Sequence, residues 1–425
     1  MPRSPAVTRA AAQARERVPL AGYTTLGLGG PAARLIDAAT DEEIVSAVRA
    51  ADGRGEPVLV LGGGSNLVVA DEGFPGTVVR VATRGVSLER DADGGSGGVL
   101  MTVAAGEDWD GIAGRCVAEG LSGVECLSGI PGLAGATPIQ NVGAYGQEVA
   151  DVVASVRVLD RVTGGITDMP NGACGFGYRT SVFKRSAAGP ARHAAGPGEA
   201  GHGRAAQGAA EGTGAPGGNA TGRFVVLGVT FRLAEDPLSR PVGYPELAAA
   251  LGAAPGSRVP LADARHAVLG LRARKGMVLD PADPDTRSAG SFFTNPVLSE
   301  GQFAAVEAAA RARCGPGTRV PRFPAGGGRL KVPAAWLIEH AGFRKGYPGT
   351  GHRRGAPDEA LSAGGTGCPG TGSARISTKH TLALVNPGGA TTAGLLALAR
   401  EIRDGVRETF GVTLVPEPVL VGVTL

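Results

Sequence analysis

The chain has 425 residues, long for one small domain and suited to two or three. Its 42 basic and 39 acidic residues leave a formal charge of +3, which gives no electrostatic reason to expect nucleic acid or an anionic membrane as partner. Glycine is the outlier at 71 residues without a G-X-Y period, so collagen is excluded and the excess belongs to turns, ligand loops or inserts.

The five cysteines, Cys116, Cys126, Cys174, Cys314 and Cys368, form no C-x-x-C pair, and no His cluster has zinc spacing. They read as reduced thiols in a cytoplasmic protein, and no metal site is expected. The start of the chain has no apolar segment of the signal-peptide kind. The uncharged run from Cys126 to Gln147 is broken throughout by Gly, Pro, Gln and Asn, so it reads as loops and not as a membrane helix.

In chain order, residues 1–20 read as a flexible leader. Thr40 and Glu43 form a capping box ahead of Ile44, Val45 and Val48 at helical spacing. Val58 to Leu61 is a short apolar strand that runs into Gly62-Gly63-Gly64-Ser65-Asn66. Strands at Val78–Val81 and Val99–Val103 and a helix at Asp108–Glu119 continue an α/β alternation. Strands at Val152–Asp160 and Phe224–Leu233 flank a stretch, 185-222, that contains no Val, Ile, Leu, Met, Phe, Tyr or Trp, which predicts a disordered insert. A second insert is expected at 348-373. Helical periods follow at Ala262–Lys275, Glu300–Arg313, Ala334–His340 and Thr392–Phe410. The chain closes with a predicted strand pair, Val412–Val415 and Val419–Val423, around Pro416-Glu417-Pro418.

Five segments have the composition of a site. In Gly62 to Asn66, a strand ending in consecutive glycines can expose backbone N–H groups as a nest for phosphate, with Ser65 and Asn66 as added donors; an ordinary glycine turn also fits. Neither a Walker A sequence nor G-x-G-x-x-G is present. Ser128 to Gly146 is rich in small residues that let a flat ligand approach the backbone, and Thr137, Gln140, Asn141 and Tyr145 could fix its heteroatoms. A loop this long inside a compact domain is uncommon without a function. Arg179 lies among aromatics in Cys174 to Lys184, where a guanidinium could pair with a carboxylate or an enolate, or simply form a surface ion pair. Ser291, between Gly290 and Phe292-Phe293, could donate a proton at a pocket wall or only pack there. Glu417 is held between two prolines.

Together LGGGSNLVVADEGFPGTVV, SGIPGLAGATPIQNVGAYG, FGYRTSVFK, AGSFFTNP and LVPEPVLVG resemble the UDP-N-acetylmuramate dehydrogenases, also called UDP-N-acetylenolpyruvoylglucosamine reductases, from Thr24 to Val423. Val242 to Leu247 around Tyr244 is similar to the type I subgroup. The resemblance implies a mixed α/β and α+β chain, with a PCMH-type (vanillyl-alcohol-oxidase-like) FAD-binding region and a C-terminal substrate-binding domain. The expected units are 21-86 and 87-235 for FAD and 236-411 for substrate, with strands in 412-425 returning to the first. It implies non-covalent FAD, NADPH as co-substrate, and reduction of a UDP-sugar enolpyruvyl ether in cytoplasmic peptidoglycan synthesis by a monomer. The implied catalytic residues are Arg179, Ser291 and Glu417. The implied cofactor contacts are Gly62, Gly63, Gly64, Ser65 and Asn66, with Gly132, Thr137, Pro138, Ile139, Gln140, Asn141, Gly143, Ala144 and Tyr145. Tyr178, Tyr244, Lys275 and Asn295 are the implied substrate contacts. The two inserts depart from the family pattern. The alternative is another FAD oxidoreductase of the same fold acting on a sugar or an alcohol.

Overall fold

The computed structural model describes residues 13–90, 98–185, 221–348 and 373–425. The two expected inserts lie outside these residues except at their ends. No helix among the described residues is long and apolar enough to cross a membrane.

The chain opens with β1 (Arg15–Pro19), β2 (Pro31–Ala38), α1 (Asp41–Gly53), β3 (Val58–Leu61), β4 (Leu67–Val69) and β5 (Phe74–Val81). Four of these strands form a sheet in the order β1-β2-β5-β3, with β2, β5 and β3 parallel. The expected leader is thus partly structured, because β1 pairs antiparallel with β2 from Arg15 opposite Leu35 to Pro19 opposite Pro31. A β-strand needs a partner edge more than it needs apolar residues, which the RERVP composition hid. Thr40 caps α1 by accepting from the Glu43 N–H at 3.2 Å. Glu43 completes no box: its carboxylate accepts instead from the N–H of Ala39, at 2.7 Å.

The next strands are β6 (Val86–Arg90) and β7 (Gly98–Ala104), followed by α2 (Trp109–Ala118) and β8 (Leu121–Ser122). Then come α3 (Thr137–Gln140), β9 (Gly143–Ala144), β10 (Gln147–Glu148), β11 (Val153–Asp160), β12 (Ile166–Pro170), α4 (Val182–Arg185) and β13 (Phe224–Glu235). They build an antiparallel sheet in the order β12-β11-β13-β7-β6, with β8 beside β13. Its centre is β13, whose Phe231 packs at 5.6 Å from the Trp109 ring in a large apolar cluster. The end of the first insert is not loose: Thr221 accepts from the Val60 N–H at 2.7 Å and donates its own N–H to Val58 at 3.1 Å.

The remaining elements are α5 (Pro245–Leu251), α6 (Leu261–Arg274), β14 (Ser288–Ser291), β15 (Val297–Leu298), α7 (Glu300–Cys314), β16 (Phe323–Pro324), β17 (Leu330–Lys331) and α8 (Ala334–His340). After them come β18 (Arg375–Ile376), β19 (Ala383–Val385), α9 (Thr392–Phe410) and β20 (Val419–Val421). Small sheets β14-β19-β18 and β15-β17-β16 pack with α7, α8 and α9 around a second large core. Helix α9 buries Leu395, Leu396, Leu398, Ile402, Val406 and Phe410, the face its 3.6-residue period requires.

The predicted terminal strand pair does not form. Residues 412–415 are not a strand, and β20 instead runs parallel to β4, with Val421 opposite Val69. Prolines 416 and 418 stiffen the backbone and forbid a tight hairpin ladder at this point. Val421 is buried in the apolar cluster of the first sheet, beside Leu61 and Val69. We expect Val421→Asp, which sets an unpaired carboxylate there, to cost more than about 2 kcal/mol in urea unfolding, with Val421→Thr milder. Equal midpoints for Val421→Asp and the parent would refute this docking.

Candidate active site

Segments from all three parts of the chain line one cavity of about 350 Å³. Its walls are mostly apolar, with Val60, Val81, Trp109, Ile130, Phe224 and Val226 among them. One side is the Gly62–Asn66 loop between β3 and β4. This loop is locked to the loop after α2. A Cβ on Gly63 would lie 2.8 Å from Gly132 Cα, and one on Gly64, at φ 62°, would lie 1.9 Å from the Tyr23 carbonyl oxygen. The Ser65 hydroxyl donates to Pro131 O at 2.9 Å and so ties the two loops together. Among the described residues the N–H groups of Gly63, Gly64, Ser65 and Asn66 have no protein acceptor. Four adjacent donors at the wall of a mostly apolar cavity suit a pyrophosphate joined to a flat ring system.

The other end of the cavity is polar. Gly177 and Thr180 bond each other's backbone at 3.0 and 3.1 Å and close a tight turn. Within it Arg179 takes φ 53°, a left-handed conformation costing a residue with a Cβ roughly 1–3 kcal/mol. The turn aims the guanidinium inward: Nη2 donates to Gly143 O at 2.8 Å, and Nε lies 3.0 Å from Glu417 Oε1. That ion pair is mostly buried, and Nε is not aligned with any acceptor for a true hydrogen bond. Glu417 is placed by a short antiparallel contact, in which its N–H donates to Phe292 O at 2.9 Å and Thr294 N–H donates to Val415 O at 3.0 Å. The same contact sets Ser291, one residue before Phe292, on the cavity wall with Ala289 and Gly290. Gln140 adds Nε2 to Glu417 Oε1 at 3.2 Å.

Arg179, Ser291 and Glu417, far apart in sequence, therefore share one cavity. Gly62, Gly63, Gly64, Ser65, Asn66, Gly132, Thr137, Ile139, Gln140 and Gly143 line it too. Pro138, Asn141, Ala144 and Tyr145 do not. Asn141 is buried, and its amide donates to Glu148 Oε2 and Gly177 O and accepts from Ala150 N–H, at 2.8, 3.0 and 3.1 Å. A buried amide must satisfy itself, and here it does so by bracing the Arg179 turn. The Thr137 hydroxyl likewise donates inward, to Ala134 O at 2.8 Å.

The four expected substrate contacts stand outside the cavity in two groups. Tyr244 meets Tyr145 edge-on at 5.5 Å, Lys275 lies 5.9 Å over the Tyr145 ring, and Lys275 pairs with Glu246 at 2.6 Å. Burial pushes the Tyr145 phenol up to about 12. Tyr178 lies under Arg179 and Lys331, at 5.7 and 4.7 Å, and its hydroxyl accepts from Asn295 N–H at 3.4 Å. The Asn295 side chain is used on the first turn of α8, accepting from Ala334 N–H at 2.9 Å.

Two cavity residues were missed. Lys184 donates to Gln140 Oε1 at 2.8 Å, and burial lowers its pKa against the pull of Glu417. Its position at the end of FGYRTSVFK, one face of a short helix, was the available signal. Arg272 is pushed down by burial, donates Nη2 to Met277 O at 2.9 Å, and leaves Nε with no acceptor. It stands three residues, nearly one helical turn, before Lys275.

Comparison with known proteins agrees with this geometry. A family model described as FAD binding domain matches residues 32–169, and one described as UDP-N-acetylenolpyruvoylglucosamine reductase, C-terminal domain, matches residues 362–421. The UDP-N-acetylenolpyruvoylglucosamine reductase of Thermobifida fusca is 52% identical over 96% of this chain and 98% of its own. The enzyme of that name from Streptomyces avermitilis is 50% identical over 100% of both chains. The crystal structure of the Thermus caldophilus reductase superposes with a TM-score of 0.52 at 25% identity, covering 96% of this chain and 100% of that one. The expected fold stands: an FAD-binding region of mixed α/β structure, followed by the reductase C-terminal domain.

Because Gly63 has no room for a Cβ against Gly132, we expect Gly63→Ala to part the two loops. Overpacking of about 1–3 kcal/mol corresponds to a loss of FAD affinity of roughly 5- to 150-fold, read by flavin fluorescence titration. Parent affinity would show that the loop contact is dispensable. A second expectation concerns His380, which burial, with Lys275 and Lys345, pushes down to about 4 against the opposing Glu339 and Glu246. A histidine depressed in the folded state contributes stability that is present above its unfolded value of 6.5 and lost as pH falls toward 4. The loss is on the order of 3 kcal/mol across that window. Urea unfolding at pH 7 and pH 5 should show a steeper fall for the parent than for His380→Gln, and parallel falls would count against it.

Proposed function

The chain belongs to the UDP-N-acetylenolpyruvoylglucosamine reductase family, and on that premise we propose that it reduces UDP-N-acetyl-3-O-(1-carboxyvinyl)glucosamine to UDP-N-acetylmuramate with NADPH. The product would feed peptidoglycan synthesis in the cytoplasm. FAD, when bound, supplies the carrier of a hydride between the two substrates. The Gly62–Asn66 and Gly132 loops would hold it. Among the described residues the cavity lining contains no His or Cys, which supports non-covalent attachment.

The observation that carries this reading is the shared cavity end of Arg179, Glu417 and Ser291. Hydride arriving at the vinyl methylene leaves negative charge on the adjacent carbon and its carboxylate. The Arg179 guanidinium lies at this part of the cavity, 3.0 Å from the Glu417 carboxylate, where it can meet that anion. Arg179 stabilises the enolate-like charge, and Glu417 holds the guanidinium in place. Ser291 gives its proton to the α-carbon as general acid, completing the addition of hydride and proton across the double bond. Oxidation of an alcohol or a sugar needs no proton donor to carbon, and the relatives of 50% identity and above bear the reductase name.

The test separates the half-reactions by stopped flow. Ser291→Ala should bind FAD and be reduced by NADPH at near the parent rate. Its reoxidation by the enolpyruvyl substrate should fall about 10²- to 10⁴-fold, and Ser291→Cys should retain more. An unchanged reoxidation rate would remove the acid role from Ser291.

A further inference from the structure

Lys184 is not required by the chemistry above, yet its ammonium group meets the backbone carbonyls of both Arg179 and Glu417. Nζ lies 2.8 Å from Gln140 Oε1, 3.3 Å from Arg179 O and 3.5 Å from Glu417 O. A lysine ammonium has three protons and no acceptor, so each proton has a carbonyl oxygen to meet. The contact with Gln140 has a directional consequence. An amide can present either its oxygen or its NH₂ group to a neighbour, and only the oxygen suits an ammonium. The NH₂ group is thereby turned away, toward Glu417 Oε1 at 3.2 Å. Reversing the amide would set NH₂ against an ammonium and oxygen against a carboxylate, two repulsions in one flip. The same lysine also holds the carbonyl of Arg179, whose backbone is in a conformation it would not adopt unaided.

We propose that Lys184 is a positioning residue for the reductase reaction: it fixes the polarity of the Gln140 amide and, through it, the placement of the Glu417 carboxylate against Arg179. This rests on the function proposed above. Its effect belongs to the half-reaction in which charge develops on the enolpyruvyl group. A residue that only supported the fold would slow both half-reactions and lower flavin content.

The experiment is a double-mutant cycle on the intact flavoenzyme, read as stopped-flow reoxidation by the enolpyruvyl substrate. Lys184→Met should lower reoxidation by roughly tenfold or more and leave reduction by NADPH within about twofold of the parent, the size expected for groups in one network. In a Glu417→Gln background the same change should cost less than about threefold. Gln140→Glu keeps an oxygen for the lysine but sets a carboxylate against Glu417. It should lose roughly tenfold or more at neutral pH and recover in part toward pH 5, where the carboxylate pair can share a proton. If Lys184→Met does not fold, Gln140→Glu decides the matter. Losses that multiply in the cycle, or parent-like reoxidation in Gln140→Glu, overturn the inference. A parent enzyme that the enolpyruvyl substrate does not reoxidise overturns instead the reading on which the inference rests.

Discussion

The return of the C-terminus to the first sheet is the constraint on which the site depends. Strand β20 runs beside β4, and the N–H of Val419 donates to Asn66 O at 2.9 Å. The start of α9 is held to the same region, because Asp71 accepts from the N–H groups of Thr392 and Ala393 at 2.8 and 2.9 Å. A carboxylate at a helix N-terminus satisfies donors that have no partner within the helix and meets the positive end of its dipole. These contacts close a chain of more than three hundred residues onto its own beginning. Loop closure of that length costs little more than a shorter one, so a few strand and cap bonds suffice. They fix Glu417, two residues before Val419, relative to the glycine loop, and its bond to Phe292 and its pairing with Arg179 complete the placement.

The two ends of the cavity are built on different physical grounds. At the glycine end the requirement is room: backbones approach where no Cβ fits, and among the described residues the loop N–H groups at the cavity wall are left without a protein acceptor. At the other end the requirement is charge held in place. Arg179 sits in a strained turn, braced by Asn141 through Gly177 O and by Lys184 through its own carbonyl. Strain of this kind persists only where surrounding contacts over-determine it, and here the braces are bonded polar groups, Asn141 buried and Lys184 half-buried. The residues that support the turn are those of the PIQNVGAYG and FGYRTSVFK segments, so the density of both motifs reflects support for the Arg179 turn.

Much of this was legible in the amino-acid order. Helical period placed α8 and α9 at the bounds they occupy, and the apolar run Val58–Leu61 is a strand, since burial of one stripe or of two faces leaves a local pattern. The glycine loops, Arg179, Ser291 and Glu417 were found from motifs, and the cavity unites them. What the order could not tell is how side chains are used once neighbours arrive. Asn141 and Ser65 have the same chemical groups whether they face a ligand or brace a loop, and only the positions of Gly177 O and Pro131 O decide between these. Lys184 passed as a motif end because its three acceptors come from segments 5, 44 and 233 residues away. The pairing of β1 and of β20 was decided by which sheet edge was open, a property of the assembled molecule. Local sequence therefore determined the elements, the glycine turns and the polar groups offered to the cavity, because those follow from period, φ and side-chain chemistry. Tertiary structure alone decided which polar groups face the cavity and which hold it open, because that depends on distances between segments remote in the chain.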